Sequence, residues 1–157
     1  MVSRDLCWAV AVPGIAHTLQ AALDDWGDLR APLEEVYLRL NAGEQEDAFA
    51  FAQSACASPL PRAFHWADGS AYVNHIELVR KARGAEVPAS FYEDPLMYQG
   101  GSDDFLGPRD DAVFARADWG IDFEAEIAVV TGDVPMGAPP GAALEGVRLL
   151  MLVNDWS

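Results

Sequence analysis

Residues 121–130 of this chain read Ile-Asp-Phe-Glu-Ala-Glu-Ile-Ala-Val-Val. The apolar and acidic residues alternate with a period of two, which predicts a β-strand with one apolar and one acidic face. The acidic face begins at Asp122, continues through Glu124 and Glu126, and then turns apolar. A face that changes from acidic to apolar indicates a half-buried cleft rather than open solvent.

The two glutamates of this strand are close enough to act together. Side chains two residues apart on a strand start about 7 Å from each other, so the carboxylates of Glu124 and Glu126 can converge. A nearby cation or a proton removes their mutual repulsion. Hard divalent cations take oxygen ligands at about 2.0–2.6 Å, which suits two converging carboxylates. A solvated strand face remains the alternative at this point.

Composition excludes several classes of protein. The 157 residues are 51% hydrophobic, which predicts one folded domain, alone or preceded by a small helical region. The net charge of −15, with ten Lys and Arg residues, argues against a nucleic-acid or anionic-membrane partner. No apolar run reaches the roughly 18 residues of a membrane span. The two cysteines, Cys7 and Cys56, are too few for a disulfide framework, which indicates the reducing cytoplasm.

The N-terminal third carries two helical patterns. The first runs from Ile15 to Gly27, and the second has Pro32 in its first turn and ends at Gly43. An extended linker at residues 58–61 follows. We therefore predict an N-terminal helical domain at residues 1–57 and a second domain at residues 58–157.

The second domain is predicted to begin with a turn at Asp68-Gly69 and a helix that Ser70 caps and Gly84 ends. On its own, His75 within this helix is more typical of a core or surface histidine than of a catalytic base. The apolar run at residues 149–153 predicts a buried strand, and Asp155 lies just beyond it, where sites are commonly built.

Four motifs, taken in chain order, resemble the catalytic domain of the fumarylacetoacetate hydrolase family over residues 60–157. Each motif alone is weak, but four in the family's order and spacing are specific. The resemblance implies an α+β fold in which a short helical N-terminal region precedes an incomplete mixed β-sandwich roll, since family members continue beyond this point. The motifs are Asp68 with His75 seven positions later, Pro95–Gly100, Asp122–Glu126, and Leu152–Ser157, which contains N-D-W-S.

The resemblance also implies a role for each motif. Four acids would hold a divalent cation, His75 would be the catalytic base, and Tyr98 would contact the substrate. An all-carboxylate ligand set suits Mg²⁺ or Ca²⁺, with Mn²⁺ as a further candidate, over Zn²⁺. The acids that match the family's metal ligands are Asp68, Glu124, Glu126 and Asp155.

This sequence departs from the family pattern at two substrate-contacting positions. Ser70 stands where fumarylacetoacetases have a second tyrosine, and Tyr72 is the expected substitute. The family's arginine would fall on Gly84, so Arg80 and Arg83 are the nearby candidates, of which Arg83 is taken as the site residue. His17 and His65 receive no role.

The activity that the resemblance implies is hydrolysis of a carbon–carbon bond in a 1,3-diketo acid. The closest match is cleavage of fumarylacetoacetate to fumarate and acetoacetate, in aromatic amino-acid catabolism, by a homodimer. Family alternatives are oxaloacetate decarboxylation, fumarylpyruvate hydrolysis and hydration of 2-keto-4-pentenoate. An alternative of another class is a non-catalytic truncated fragment, or a half-domain that pairs with a separate chain.

Overall fold

A computed structural model of the chain describes residues 1–61, 63, 65–94, 96–101 and 104–157. These residues form four α-helices, three short 3₁₀ helices and three two-stranded antiparallel sheets, which confirms the α+β fold class. They divide into two compact units, Met1–Cys56 with Pro108–Ser157, and Ala57–Gly107. The predicted domain boundary after residue 57 stays a prediction.

The N-terminal part of the first unit has a small core between a helix and a short sheet. Val10 lies just after the first strand, and it packs with Val36 and Leu40 on the buried side of the second helix. All three residues are at least nine-tenths buried. The elements are β1 (Trp8–Ala9), α1 (Leu19–Asp24), α2 (Trp26–Ala42) and β2 (Phe49–Ala50), with a 3₁₀ helix at Gln53–Ala55.

The structure contradicts the predicted end of the first helix and confirms the predicted end of the second. Helix α2 begins at Trp26, so the prediction that Gly27 ends the first helix is wrong. Pro32 consequently lies inside α2 rather than in its first turn. The predicted end at Gly43 is confirmed, because its φ of 75° is a left-handed conformation that glycine adopts without a Cβ clash.

In the second unit, the strand that precedes the helix in the sequence pairs with the strand that follows it. Asp68 and Ser70 lie within a strand, so the predicted turn at Asp68-Gly69 and the predicted helix cap at Ser70 are both wrong. The helix of this unit, α3 (Val73–Ala82), instead follows Tyr72, whose side chain makes no capping hydrogen bond. The elements are β3 (Ala67–Ser70), α3 (Val73–Ala82) and β4 (Leu96–Gln99), with a 3₁₀ helix at Ala89–Tyr92; Pro95 of the third motif lies outside the described residues.

The C-terminal part of the first unit is an antiparallel pair of long strands. The predicted acidic strand is confirmed as β5 (Phe123–Thr131), and it pairs with β6 (Val147–Trp156). A 3₁₀ helix at Ala117–Trp119 precedes β5, and helix α4 (Pro140–Glu145) connects the two strands. The prediction that residues 149–153 are buried is wrong, because Leu150 and Leu152 are 71% and 85% exposed. Exposed and half-buried residues alternate along β6, and these two leucines lie on its exposed face.

Among the residues that the structure describes, every helix is too short or too polar to cross a lipid bilayer.

Candidate metal centre

The β5–β6 pair places three carboxylates on one face. Glu124 lies directly opposite Asp155, and Glu126 follows two residues later on the same side of β5. All three residues are half-buried, whereas the residues beside them on the strands are exposed. The half-buried acidic face predicted from the alternation is therefore confirmed at Glu124 and Glu126, whereas Asp122 is exposed and lies before β5.

The spacing of two of these carboxylates, those of Glu126 and Asp155, suits a shared cation. One carboxylate oxygen of Glu126 lies within 4.8 Å of one of Asp155. Two oxygens that each lie about 2.0–2.6 Å from one ion are at most about 5 Å apart, so this pair fits a common ion. Acids directly opposite each other on neighbouring strands repel, which a divalent cation would relieve. Oxygen-only donors match Mg²⁺ or Ca²⁺ better than Zn²⁺.

The second unit carries the other candidate residues. Asp68 on β3 lies opposite Tyr98 on β4, so the two side chains share one face of this small sheet. Asp68 is half-buried and Tyr98 is 50% exposed. His75 lies in the first turn of α3, half-buried, next to the buried Ile76 that anchors the helix.

Helix α3 separates the two remaining substrate-contacting candidates. Tyr72 immediately precedes the helix, and Arg83 immediately follows it. At 1.5 Å of rise per residue they lie about 16 Å apart along the axis. Tyr72 is one turn from His75 on the same side of the helix, whereas Arg83 is about 12 Å beyond His75. The helix therefore brings Tyr72 near His75 and leaves Arg83 at its far end.

A neighbouring contact shows how α3 is held to the segment that follows it. The Tyr92 hydroxyl donates a hydrogen bond to a carboxylate oxygen of Glu77 over 3.2 Å. Partial loss of hydration, and then the Glu77 carboxylate, raise the pKa of Tyr92 above its usual range. Glu77 lies two residues after His75, so this contact ties the first half of α3 to the 3₁₀ helix.

One aromatic group was missed at the sequence level. The indole of Trp66 makes edge-to-face contacts with the rings of Tyr98 and Phe105. The sequence shows an aromatic residue two positions before Asp68, but the rings that it contacts depend on the pairing of β3 with β4. That pairing is a long-range contact that local patterns do not reveal.

A half-buried group of carboxylate oxygens on a strand pair suits a hard divalent cation. Comparison with protein families identifies the class: residues 1–62 match the model described as fumarylacetoacetase N-terminal domain 2. Residues 64–157 match the model described as fumarylacetoacetate (FAA) hydrolase C-terminal. The chain belongs to the fumarylacetoacetate hydrolase family, whose members are metal-dependent hydrolases and related enzymes. Comparison with curated proteins finds no match.

Proposed function

We propose that this chain forms the metal-binding part of a hydrolase that cleaves a carbon–carbon bond in a 1,3-diketo acid, with fumarylacetoacetate as the substrate. The observation that carries the proposal is the group of three half-buried carboxylates on the β5–β6 face, in a chain of this family. A divalent cation would relieve the repulsion between facing carboxylates, and members of this family use divalent metals.

Asp68 is the further ligand in this proposal. It matches the family's metal aspartate, and Glu124 is the fourth acid of the proposed ligand set. All four donors are carboxylate oxygens, which favours a hard ion such as Mg²⁺ or Ca²⁺ over softer metals. When bound, the ion would polarise the carbonyl under attack and hold the diketo acid through its oxygens.

The protein's own groups position the substrate and move a proton. His75 is the general base in this proposal, and it accepts a proton from water. The hydroxide oxygen bonds to a substrate carbonyl carbon, and the adjacent carbon–carbon bond breaks. Its electron pair stays with the departing carbon, which takes up the proton that His75 accepted from water. Tyr98 contacts the substrate from β4, and Tyr72 lies nearer to His75 than Arg83 does.

The cellular setting follows from the same proposal. Cys7 and Cys56 are both free thiols, which suits the reducing cytoplasm. We propose a homodimer as the working form, acting in aromatic amino-acid catabolism.

Calorimetric titration with Mg²⁺ and Ca²⁺ tests the metal centre. The unaltered chain should bind at least one of these ions, and Glu126→Gln should weaken binding by at least about tenfold, the scale seen when the surroundings of a metal site are altered. Asp133→Asn is the matched control, because it removes an exposed acid just beyond the end of β5. Equal affinity in Glu126→Gln and Asp133→Asn would remove the ligand assignment.

The reaction is tested by following fumarylacetoacetate by absorbance, with and without Mg²⁺. Turnover should require the metal and should be lost in His75→Ala, which should still bind metal. His17→Ala is the control, since His17 is exposed and lies in the other unit. Turnover of oxaloacetate or fumarylpyruvate alone would replace the substrate named here. Metal binding without turnover of any of them would favour a non-catalytic half-domain.

A further inference from the structure

We infer that Trp66 is a positioning residue that fixes the ring of Tyr98 beside Asp68. This inference rests on the proposed function, in which Tyr98 contacts the substrate and Asp68 holds the metal ion. Neither the family match nor the motifs assign a role to Trp66.

The strand pairing places Trp66 on the face that carries both candidate residues. Asp68 lies opposite Tyr98, and the backbone N–H of Gly100 donates a hydrogen bond of 3.0 Å to the Trp66 carbonyl. The antiparallel ladder therefore extends by one more pair, with Trp66 facing Gly100. Residues two apart on a strand share a face, so Trp66 and Asp68 lie side by side across from Gly100 and Tyr98.

Gly100 makes room for the indole. A Cβ atom added at Gly100 would overlap the Cδ2, Cε2 and Cζ2 atoms of Trp66. The backbone of Gly100 is not in the left-handed region, so the need for glycine here is one of space and not of conformation. Packing an aromatic side chain across the strand onto a glycine is a recognised way to fix the register of a strand pair.

Once seated on Gly100, the indole restrains its neighbours. Its ring centroid lies 6.3 Å from that of Tyr98 with an interplanar angle of 67°, and 5.8 Å from that of Phe105 with an angle of 61°. Both are edge-to-face contacts within the favourable range of about 4.5–7 Å. Tyr98 is half-exposed, so contact with Trp66 limits the movement of a ring that protein atoms do not enclose. A displacement of about 1 Å in such a group is enough to impair a site.

The experiment compares four variants of the full chain. Trp66→Leu removes the aromatic edge, Gly100→Ala displaces the indole, and Trp66→Phe keeps an aromatic ring. Gly69→Ala is the matched control on the opposite face of the same sheet, where a new Cβ meets only the flexible thioether end of Met97 at 2.9 Å.

The first measurement is fluorine NMR of the chain labelled with 3-fluorotyrosine, with the Tyr98 signal assigned from Tyr98→Phe. Trp66→Leu and Gly100→Ala should move this signal, because the indole ring current acts on it only at short range. Trp66→Phe should move it less, and Gly69→Ala should leave it in place. An unmoved signal in both Trp66→Leu and Gly100→Ala would overturn the inference. Should Trp66→Leu fail to fold, Gly100→Ala and Trp66→Phe decide in the same way.

The second measurement is the affinity for oxalate, a chelating dicarboxylate, at saturating Mg²⁺. Trp66→Leu should weaken oxalate binding by about two- to tenfold, the range expected for loss of one aromatic contact, with the Mg²⁺ affinity unchanged. Unchanged oxalate affinity in Trp66→Leu would also count against a positioning role. Failure of the unaltered chain to bind Mg²⁺ would overturn the proposed function instead, and the position of the Tyr98 signal would still decide the role of Trp66.

Discussion

Glu124 of β5 lies directly opposite Asp155 of β6, so two acids 31 positions apart in the sequence share one cross-strand pair. The pairing register alone decides this relationship. A slip of one residue would turn Asp155 to the other face of the sheet, among the exposed apolar residues. The register therefore determines whether this chain has a group of facing carboxylates.

We expect Asp155→Asn to stabilise the metal-free chain and to remove most of its stabilisation by Mg²⁺. Acids directly opposite each other destabilise a strand pair, so removing one charge should raise the free energy of unfolding by about 0.2–1 kcal/mol. A bound ion stabilises the folded chain by mass action, and that gain needs the carboxylate. Thermal unfolding with and without Mg²⁺ measures both effects.

Asp133→Asn serves as the control, since Asp133 is exposed beyond the end of β5 and faces no acid across a strand. It should change neither the metal-free stability nor the Mg²⁺ effect. An equal rise of the midpoint with Mg²⁺ in Asp155→Asn and in the unaltered chain would contradict the role of Asp155 as a ligand.

The features predicted correctly from sequence are those that local chemistry determines. The alternation at residues 121–130 needs only the period of a strand, and both β5 and its half-buried acidic face are confirmed. The end of α2 needs only a glycine in a left-handed conformation, and Gly43 supplies it. These features do not depend on which distant segment packs against them.

The wrong predictions concern positions where a distant partner outcompetes a local signal. Asp68-Gly69 is a turn signal, but pairing with β4 satisfies the backbone of this segment and keeps it extended. The same pairing makes Ser70 a strand residue rather than a helix cap. The contact of Trp66 with Gly100 could not be predicted, since it exists only once that pairing is known.

The pKa of Tyr92 offers a test of the contact between α3 and the following 3₁₀ helix. Partial desolvation and the Glu77 carboxylate raise this pKa, so Tyr92 should lose its proton at higher pH than an ordinary tyrosine. Because the folded-state pKa is the raised one, the contact stabilises the fold below the unfolded value of about 10 and is lost as pH rises through the folded value.

Glu77→Gln should lower the pKa of Tyr92, and this is measured by ultraviolet difference titration. Tyr92→Phe identifies which part of the absorbance change belongs to this residue. An unaltered titration of Tyr92 in Glu77→Gln would show that the hydrogen bond of 3.2 Å has no electrostatic effect on the phenol.

Two leucines at opposite extremes of exposure should respond very differently to truncation. Leu40 is 4% exposed and packs in the core with Val10 and Val36, so Leu40→Ala should lower the free energy of unfolding by about 2–4 kcal/mol. Leu152 is 85% exposed, so Leu152→Ala should change it by less than about 0.5 kcal/mol. Chemical denaturation of both variants provides the comparison. Equal losses would mean that the exposed face of β6 is covered in solution.

Two glycine-to-alanine changes should have opposite signs. Gly43 ends α2 with a φ of 75°, where a Cβ is unfavourable by about 1–2 kcal/mol, so Gly43→Ala should destabilise the chain. Gly141 lies in the first turn of α4 with no atom within 4 Å of an added Cβ. Gly141→Ala should therefore stabilise by about 0.4–1 kcal/mol, since alanine loses less backbone freedom on folding. Thermal unfolding of the two variants measures both signs. A gain from Gly43→Ala would contradict the left-handed end of α2.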